Sequence, residues 1–255
     1  FLHVRDPLRR FEGFPWFITT GQIDFVELLQ FLKLNTLDYY DYLNLGFRIT
    51  AAAGSDFPWA STIGEVRTMA YTGKNFTPDT WFQSLKDGHT YVTNGPALFF
   101  NAADKMPGDE LLAHAGDSIS LSVKAFSCPE IGTIKSVSLF NNEGCLAELH
   151  NANAKDSLHL DLVHHLTRSQ WISAVVRCDN GAVAHTTPVY VVVDGKPTYD
   201  PYKGPGIIEK QLVSIATLMA EEKIKTPVDE GLVVRLQSAV EFYIILLRQM
   251  QKDQY

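Results

Sequence analysis

Apolar residues along this chain follow two rhythms. Near residues 24–34, Ile23, Val26 and Leu29 recur with Phe25, Leu28 and Leu32 beside them, a pattern that predicts a buried amphipathic helix opened by Asp24. A second helix is predicted over residues 37–45, stopped by Gly46. The run from Arg48 to Ala53 reads as a buried strand, since small and β-branched residues end abruptly at Gly54 and Pro58. Residues 64–71 predict another strand. Thr77-Pro78-Asp79-Thr80 then opens a helix with a capping hydroxyl, an early proline and an acid in the first turn. Tyr91 to Phe100 predicts two short strands around an Asn94-Gly95-Pro96 turn. Residues 1–22 are rich in aromatics, Pro and Arg without any period, and predict a surface-wrapping loop.

The second rhythm starts near residue 106. Ile119, Leu121, Val123 and Ala125 alternate with Ser118, Ser120, Ser122 and Lys124, the period-2 signature of a half-buried antiparallel strand. Comparable short strands follow to residue 194, separated by turns such as Asn141-Asn142-Glu143-Gly144 and Asp179-Asn180-Gly181, which predicts a β-sandwich. A Pro, Gly and Tyr-rich linker over residues 196–206 leads to helices over 207–223 and 227–252. In the last, Leu232, Leu236, Val240, Tyr243, Ile244 and Leu247 form one stripe that must be buried, either against this chain or against a partner, a homo-oligomer being one such arrangement. The domain division is therefore 1–105, 106–195 and 196–255.

Composition narrows the function. With 255 residues, 45% of them hydrophobic, the chain can bury a sizeable core. A net charge of −7 argues against nucleic acid or an anionic membrane as the main partner, and no apolar run is long enough to insert in a membrane. A small neutral or cationic ligand, such as a small-molecule substrate, or a metal ion fits better. Cys128, Cys145 and Cys178 form neither a disulfide framework nor a CxxC pair. The chain opens on Phe1 amid what reads as folded sequence, so further residues, a signal peptide included, are expected upstream. The compartment stays open, a secreted or periplasmic one included.

Asp56 is the leading candidate for chemistry. A rigid strand that ends at a carboxylate is how α/β barrels mount catalytic and metal-binding groups; the plainer reading is a cap on the following turn. His3 follows two apolar residues, as a metal ligand at a strand end would, though a lone histidine is more often structural. Among the histidines of the sandwich, His159 lies between Leu158 and Leu160 and so faces solvent, without need of a ligand.

Several stretches are familiar together: Leu43-Asn44-Leu45-Gly46-Phe47-Arg48, Ala53-Gly54-Ser55-Asp56-Phe57-Pro58, Gly64-Glu65-Val66-Arg67, Trp81 through Leu85 to Gly88, Val92-Thr93-Asn94-Gly95-Pro96, and Ala184-His185-Thr186-Thr187-Pro188-Val189-Tyr190-Val191. In their order across residues 23–195 they resemble the carbaryl-hydrolase-like (CehA/McbA) metallohydrolases of the PHP superfamily. The resemblance implies the C-terminal part of a distorted α/β barrel, an antiparallel β-sandwich and C-terminal helices. It implies a hydrolase of an ester, carbamate, amide or phosphate bond that uses a divalent ion (Zn, Mn or Co). Asp56 is matched to a carboxylate metal ligand, and Pro58 stands where the superfamily often has a further histidine. Arg48, Trp59 and Asn94 are the substrate-binding candidates; Arg48 also reads as a structural cation and Asn94 as a turn residue. A non-catalytic scaffold that retains the fold is the alternative, motivated by Pro58 and the long terminal helices, and a carbohydrate-binding sandwich is a third reading.

Overall fold

A computed structural model describes residues 14–59, 62–225 and 227–254. The first strands overturn the helix expected over 24–34. β1 (Phe25–Gln30) and β2 (Lys33–Leu34) form a hairpin in register Leu29↔Leu34. Val26, Glu27, Leu28 and Leu29 are all buried, and a strand covered on both faces shows a continuous apolar run that also satisfies a helical period. Phe31 and Leu32 take the turn at φ 47° and 59°, the left-handed geometry of tight hairpins. Neither is a residue that announces such a turn.

Helix α1 (Phe14–Phe17) and a 3₁₀ turn (Ile18–Thr20) precede them. Trp16 and Ile18 are buried, so this part of the expected surface loop is core: its aromatics fill space between elements rather than cover them. Helix α2 (Leu37–Asn44) then leads to β3 (Thr50–Ala53), which pairs parallel with β1 from Phe25↔Thr50 onward.

The expected α/β barrel is not the architecture. Beyond the β1–α2–β3 unit the chain is mostly antiparallel sheet: β4 (Arg67–Ala70), β5 (Thr90–Thr93), β6 (Ala97–Ala102), β7 (Glu110–Ala113), β8 (Ser118–Phe126), β9 (Ile134–Asn141), β10 (Gly144–His150), β11 (Ser157–His165), β12 (Gln170–Cys178), β13 (Val183–Thr186) and β14 (Val189–Val193), with α3 (Pro78–Asp87) after β4. Among the described residues the only other parallel pair is β14 with β7. An eight-stranded sheet runs β10-β9-β12-β13-β5-β4, with β14 on β12 and β7 on β14; a three-stranded sheet runs β11-β8-β6. A barrel would need β4 and β5 to extend the parallel β1–β3 pair, and instead they pair antiparallel with each other and with β13. Residue 105 separates no sheets, because β5 joins β13 and β6 joins β8 across it. The Asn94-Gly95-Pro96 turn carries the chain from one sheet to the other.

β12 shows how the layers stack. Trp171 and Val175 point into a core shared with β1, α2 and the terminal helices. Ile172, Ala174 and Val176 point oppositely, into a core closed by Leu121 and Val123 of β8. The two faces of one strand thus serve two cores, and the sandwich expected from the period-2 pattern forms between the two sheets.

Among the described residues no strand is paired with the outer edge of β3. Thr187 Oγ1 accepts from Ala51 N–H at 2.9 Å, Thr90 Oγ1 donates to Ala51 O at 2.9 Å, and Thr68 Oγ1 is bonded to Ala53 N and O at 2.8 and 3.1 Å. Threonine hydroxyls therefore supply the partners that a neighbouring backbone would. Helices α4 (Gly204–Lys223) and α5 (Glu230–Lys252) form an antiparallel pair over the first core. Leu236 and Tyr243 are fully buried there, and Tyr243 Oη donates to Pro15 O at 3.0 Å. The α5 stripe thus packs on its own chain.

Candidate functional site

The parallel β1–β3 pair places the ends of two strands side by side. Gln30 closes β1, and its Nε2 donates to Asp56 Oδ2 at 3.0 Å. Asp56 follows β3 after two residues, in the left-handed region at φ 54°, a conformation that aspartate tolerates better than most residues. Its carbonyl accepts from Trp59 N–H at 2.8 Å, and Ser55 Oγ accepts from Gly64 N–H at 3.1 Å. The carboxylate is half-buried and aimed by an amide donor, while the loop beyond it exposes Phe57 (58%), Trp59 (80%) and Ile63 (73%). Such a group can accept hydrogen bonds, hold a cation or take a proton from a donor beside it.

Arg48 is not at that end: it lies before β3, at the opposite end of the strand from Asp56. It is ion-paired with Glu110, and its guanidinium lies 5.1 Å from the Tyr190 ring centroid. Asn94 is a tie within the fold: its Oδ1 accepts from Val183 N–H at 2.6 Å and its own N–H donates to Val183 O at 3.2 Å. Its side-chain carbonyl thus joins the β5–β6 turn to β13, the turn role that the sequence also allowed. Trp59 stays on the Asp56 loop. His3 lies outside the described residues. Among the described residues no three His, Cys, Asp or Glu side chains converge as a metal site, so Asp56 offers one carboxylate and these residues alone do not fit a divalent ion.

His185, in the last of the familiar stretches, is fully buried. Its Nδ1 lies 2.7 Å from Thr186 O and its Nε2 2.8 Å from Tyr40 Oη. A carbonyl only accepts, so Nδ1 carries the proton and Nε2 accepts from the tyrosine. Burial pushes the imidazole pKa down to about 4, with Arg177 adding to the effect and the Thr186 bond opposing it. Burial likewise holds the Tyr40 hydroxyl protonated. The pair is a neutral, satisfied core contact beside Trp171, whose ring centroid is 4.8 Å from that of Tyr40.

No known family's sequence profile matches this chain, and no curated protein matches it. Solved structures give partial likenesses. The sulfur carrier protein SoxY from Chlorobium limicola f thiosulfatophilum is 15% identical over 38% of this chain and 78% of its own, with a TM-score of 0.29. Fibronectin(III)-like modules of Clostridium thermocellum CbhA are 13% identical over 38% of this chain and 97% of theirs, at 0.27. The superoxide reductase (neelaredoxin) of Ignicoccus hospitalis is 15% identical over 39% and 81%, at 0.26. Scores this low carry neither fold nor activity across.

Sequence reading missed Gln30 because it lay inside the apolar run taken for a helix. Its role depends on β1 and β3 being neighbours, and no local pattern in the chain encodes that pairing.

Proposed function

We propose that this chain belongs to a hydrolase of a small molecule, with the carboxyl ends of β1 and β3 as its site and Asp56 as the acidic group. The observation that carries the reading is the Gln30–Asp56 contact: a carboxylate fixed by a side-chain donor from the adjacent parallel strand, at the end where open sheets bind ligands. The ordered motifs that resemble the carbaryl-hydrolase-like enzymes support the same residue. In this reading Asp56 orients a water molecule or accepts its proton, a role worth roughly 10²–10⁴-fold in rate, and Gln30 holds the carboxylate in position. A divalent ion, which the resemblance implies, is not completed by the described residues, and no step is assigned to it.

The test is turnover of aryl ester, carbamate and phosphodiester substrates by the full chain, with and without added Zn, Mn or Co. Asp56→Asn should lower any turnover at least a hundredfold while leaving the folded state intact by circular dichroism. Undiminished turnover in that variant would remove Asp56 from the chemistry.

A second reading, a non-catalytic binding or assembly protein, is favoured by the exposed Phe57, Trp59 and Ile63 around the acid. It predicts that Trp59→Ala abolishes capture of a partner while no substrate is turned over by the parent chain.

A further inference from the structure

At the opposite end of β3 from Asp56 lies a cleft of about 270 Å³, between the start of β1, the end of α3 and the loop before β7. Its size is just under the roughly 300–1,000 Å³ of sites for drug-sized ligands, which suits a metabolite of few atoms. Asp24, Arg48, Thr50, Lys86, Asp87 and Tyr190 line it, together with Gly88 and Gly108. These two glycines meet backbone to backbone: a Cβ on Gly108 would stand 2.1 Å from Asp87 O and 2.6 Å from Gly88 C. Two glycines in contact here let the segments close without side chains filling the space between them.

Two of the charges in this cleft are held by neighbours. Arg48 is held by Glu110 on one side and by the face of Tyr190 on the other, which fixes the plane of its guanidinium and leaves further N–H donors for an anion. Tyr190 is itself fixed, its hydroxyl accepting from Ile49 N–H at 3.1 Å. Asp87 is engaged by Gln83 Nε2 at 2.8 Å. Among the described residues Lys86 and Asp24 have no ion-pair partner. The cleft therefore carries cations (Arg48, already paired with Glu110, and Lys86) and acids (Asp24 and Asp87) among its lining residues, so it presents both signs of charge to one small ligand. The Thr50 hydroxyl, 3.4 Å from where a Gly88 Cβ would stand, adds a neutral hydrogen-bonding group.

We propose that this cleft is a second ligand site, distinct from the Asp56 end, that takes a small zwitterion of the amino-acid class, its carboxylate on Arg48 and Lys86 and its ammonium on Asp24. A purely anionic ligand would meet Asp24 and Asp87 as like charges, and a purely cationic one would meet Arg48 and Lys86. Either loses one half of the recognition.

The test is ligand-observed NMR on the full chain with the free proteinogenic amino acids. Each binder is compared with its N-acetyl derivative, its methyl ester and inorganic phosphate. At least one free amino acid should bind, with both blocked forms and phosphate at least tenfold weaker. Lys86→Met and Asp24→Asn, both at exposed positions, should each weaken it by a similar factor, and Asp56→Asn should leave it unchanged. Binding of no amino acid, equal binding of the N-acetyl form, the methyl ester or phosphate, or insensitivity to either Lys86→Met or Asp24→Asn would overturn the proposal. Because Asp56→Asn acts only at the other end, failure here and failure of the hydrolase reading are separable.

Discussion

The hydroxyl of Thr68 is bonded to both backbone groups of Ala53, accepting from its N–H at 2.8 Å and donating to its carbonyl at 3.1 Å. One side chain on β4 thus stands in for a residue of a neighbouring strand. Thr68→Val keeps the shape and removes both bonds. Since Thr68 is half-buried, water can replace part of the loss, and the expected cost is about 1–2 kcal/mol. Thr187→Val at a fully buried site is expected to cost more, up to about 3 kcal/mol. Urea unfolding of the two variants checks both the sizes and the order.

Acid should act through His185. Its folded-state pKa is held down at about 4, whereas an unfolded imidazole titrates near ~6.5. Between those values the unfolded chain binds more protons, so this contribution is complete above about pH 6.5 and is lost as pH falls toward about 4. The slope is roughly 1.4 kcal/mol per pH unit. His185→Gln should be less stable than the parent at pH 7, and its stability should fall less between pH 6.5 and 5. Parallel slopes in denaturant titrations at those two pH values would show that His185 is not the group responsible.

Two glycines with positive φ should respond differently to alanine. Gly108 sits at φ 92° with backbone atoms 2.1 and 2.6 Å from a built Cβ, so Gly108→Ala carries both backbone strain and overlap, on the order of 2–5 kcal/mol. Gly64 sits at φ 78° with nothing within 4 Å, leaving strain alone at about 1–2 kcal/mol. Thermal unfolding of the two variants measures the difference.

Helix α5 offers a test of where its apolar stripe is used. Leu236 is fully buried and Ile244 is 36% exposed. Leu236→Ala is expected to cost about 2–5 kcal/mol, and Ile244→Ala less than about 1.5 kcal/mol, at every protein concentration. A strong concentration dependence of the Ile244→Ala effect, read with size-exclusion chromatography, would instead place that residue in an interface between copies.

Much of the fold was legible where a local signal had one meaning. Thr77-Pro78-Asp79-Thr80 opens α3 with the cap predicted, Thr80 N–H donating to Thr77 Oγ1 at 3.1 Å, and the alternation from Ser118 to Ala125 is β8. The misreadings share a cause. β1 is buried on both faces, so its apolar run also fits a helical period, and Phe31 and Leu32 make a tight turn without the usual residues. The expected barrel failed on the pairing of β4 and β5, which is a matter of distant partners such as β13. At the candidate site, the turn holding Asp56 was visible in Gly54 and Pro58. Gln30 was not, because only the adjacency of β1 and β3 brings it to the carboxylate. Arg48 was singled out for a site that the fold puts at the far end of its strand.

The threonine hydroxyls along β3 bear also on what the edge of that sheet offers to another strand. A strand with one bare edge is a template on which a second chain can lay its own strand and begin a fibre. Thr68, Thr90 and Thr187 occupy that edge with side chains that satisfy its donors and acceptors but offer no continuing ladder. Among the described residues the backbone groups of Ala51 and Ala53 on that edge are thus already engaged, and the contacts that join β3 to the sandwich are the same ones that leave an incoming strand few groups to pair with.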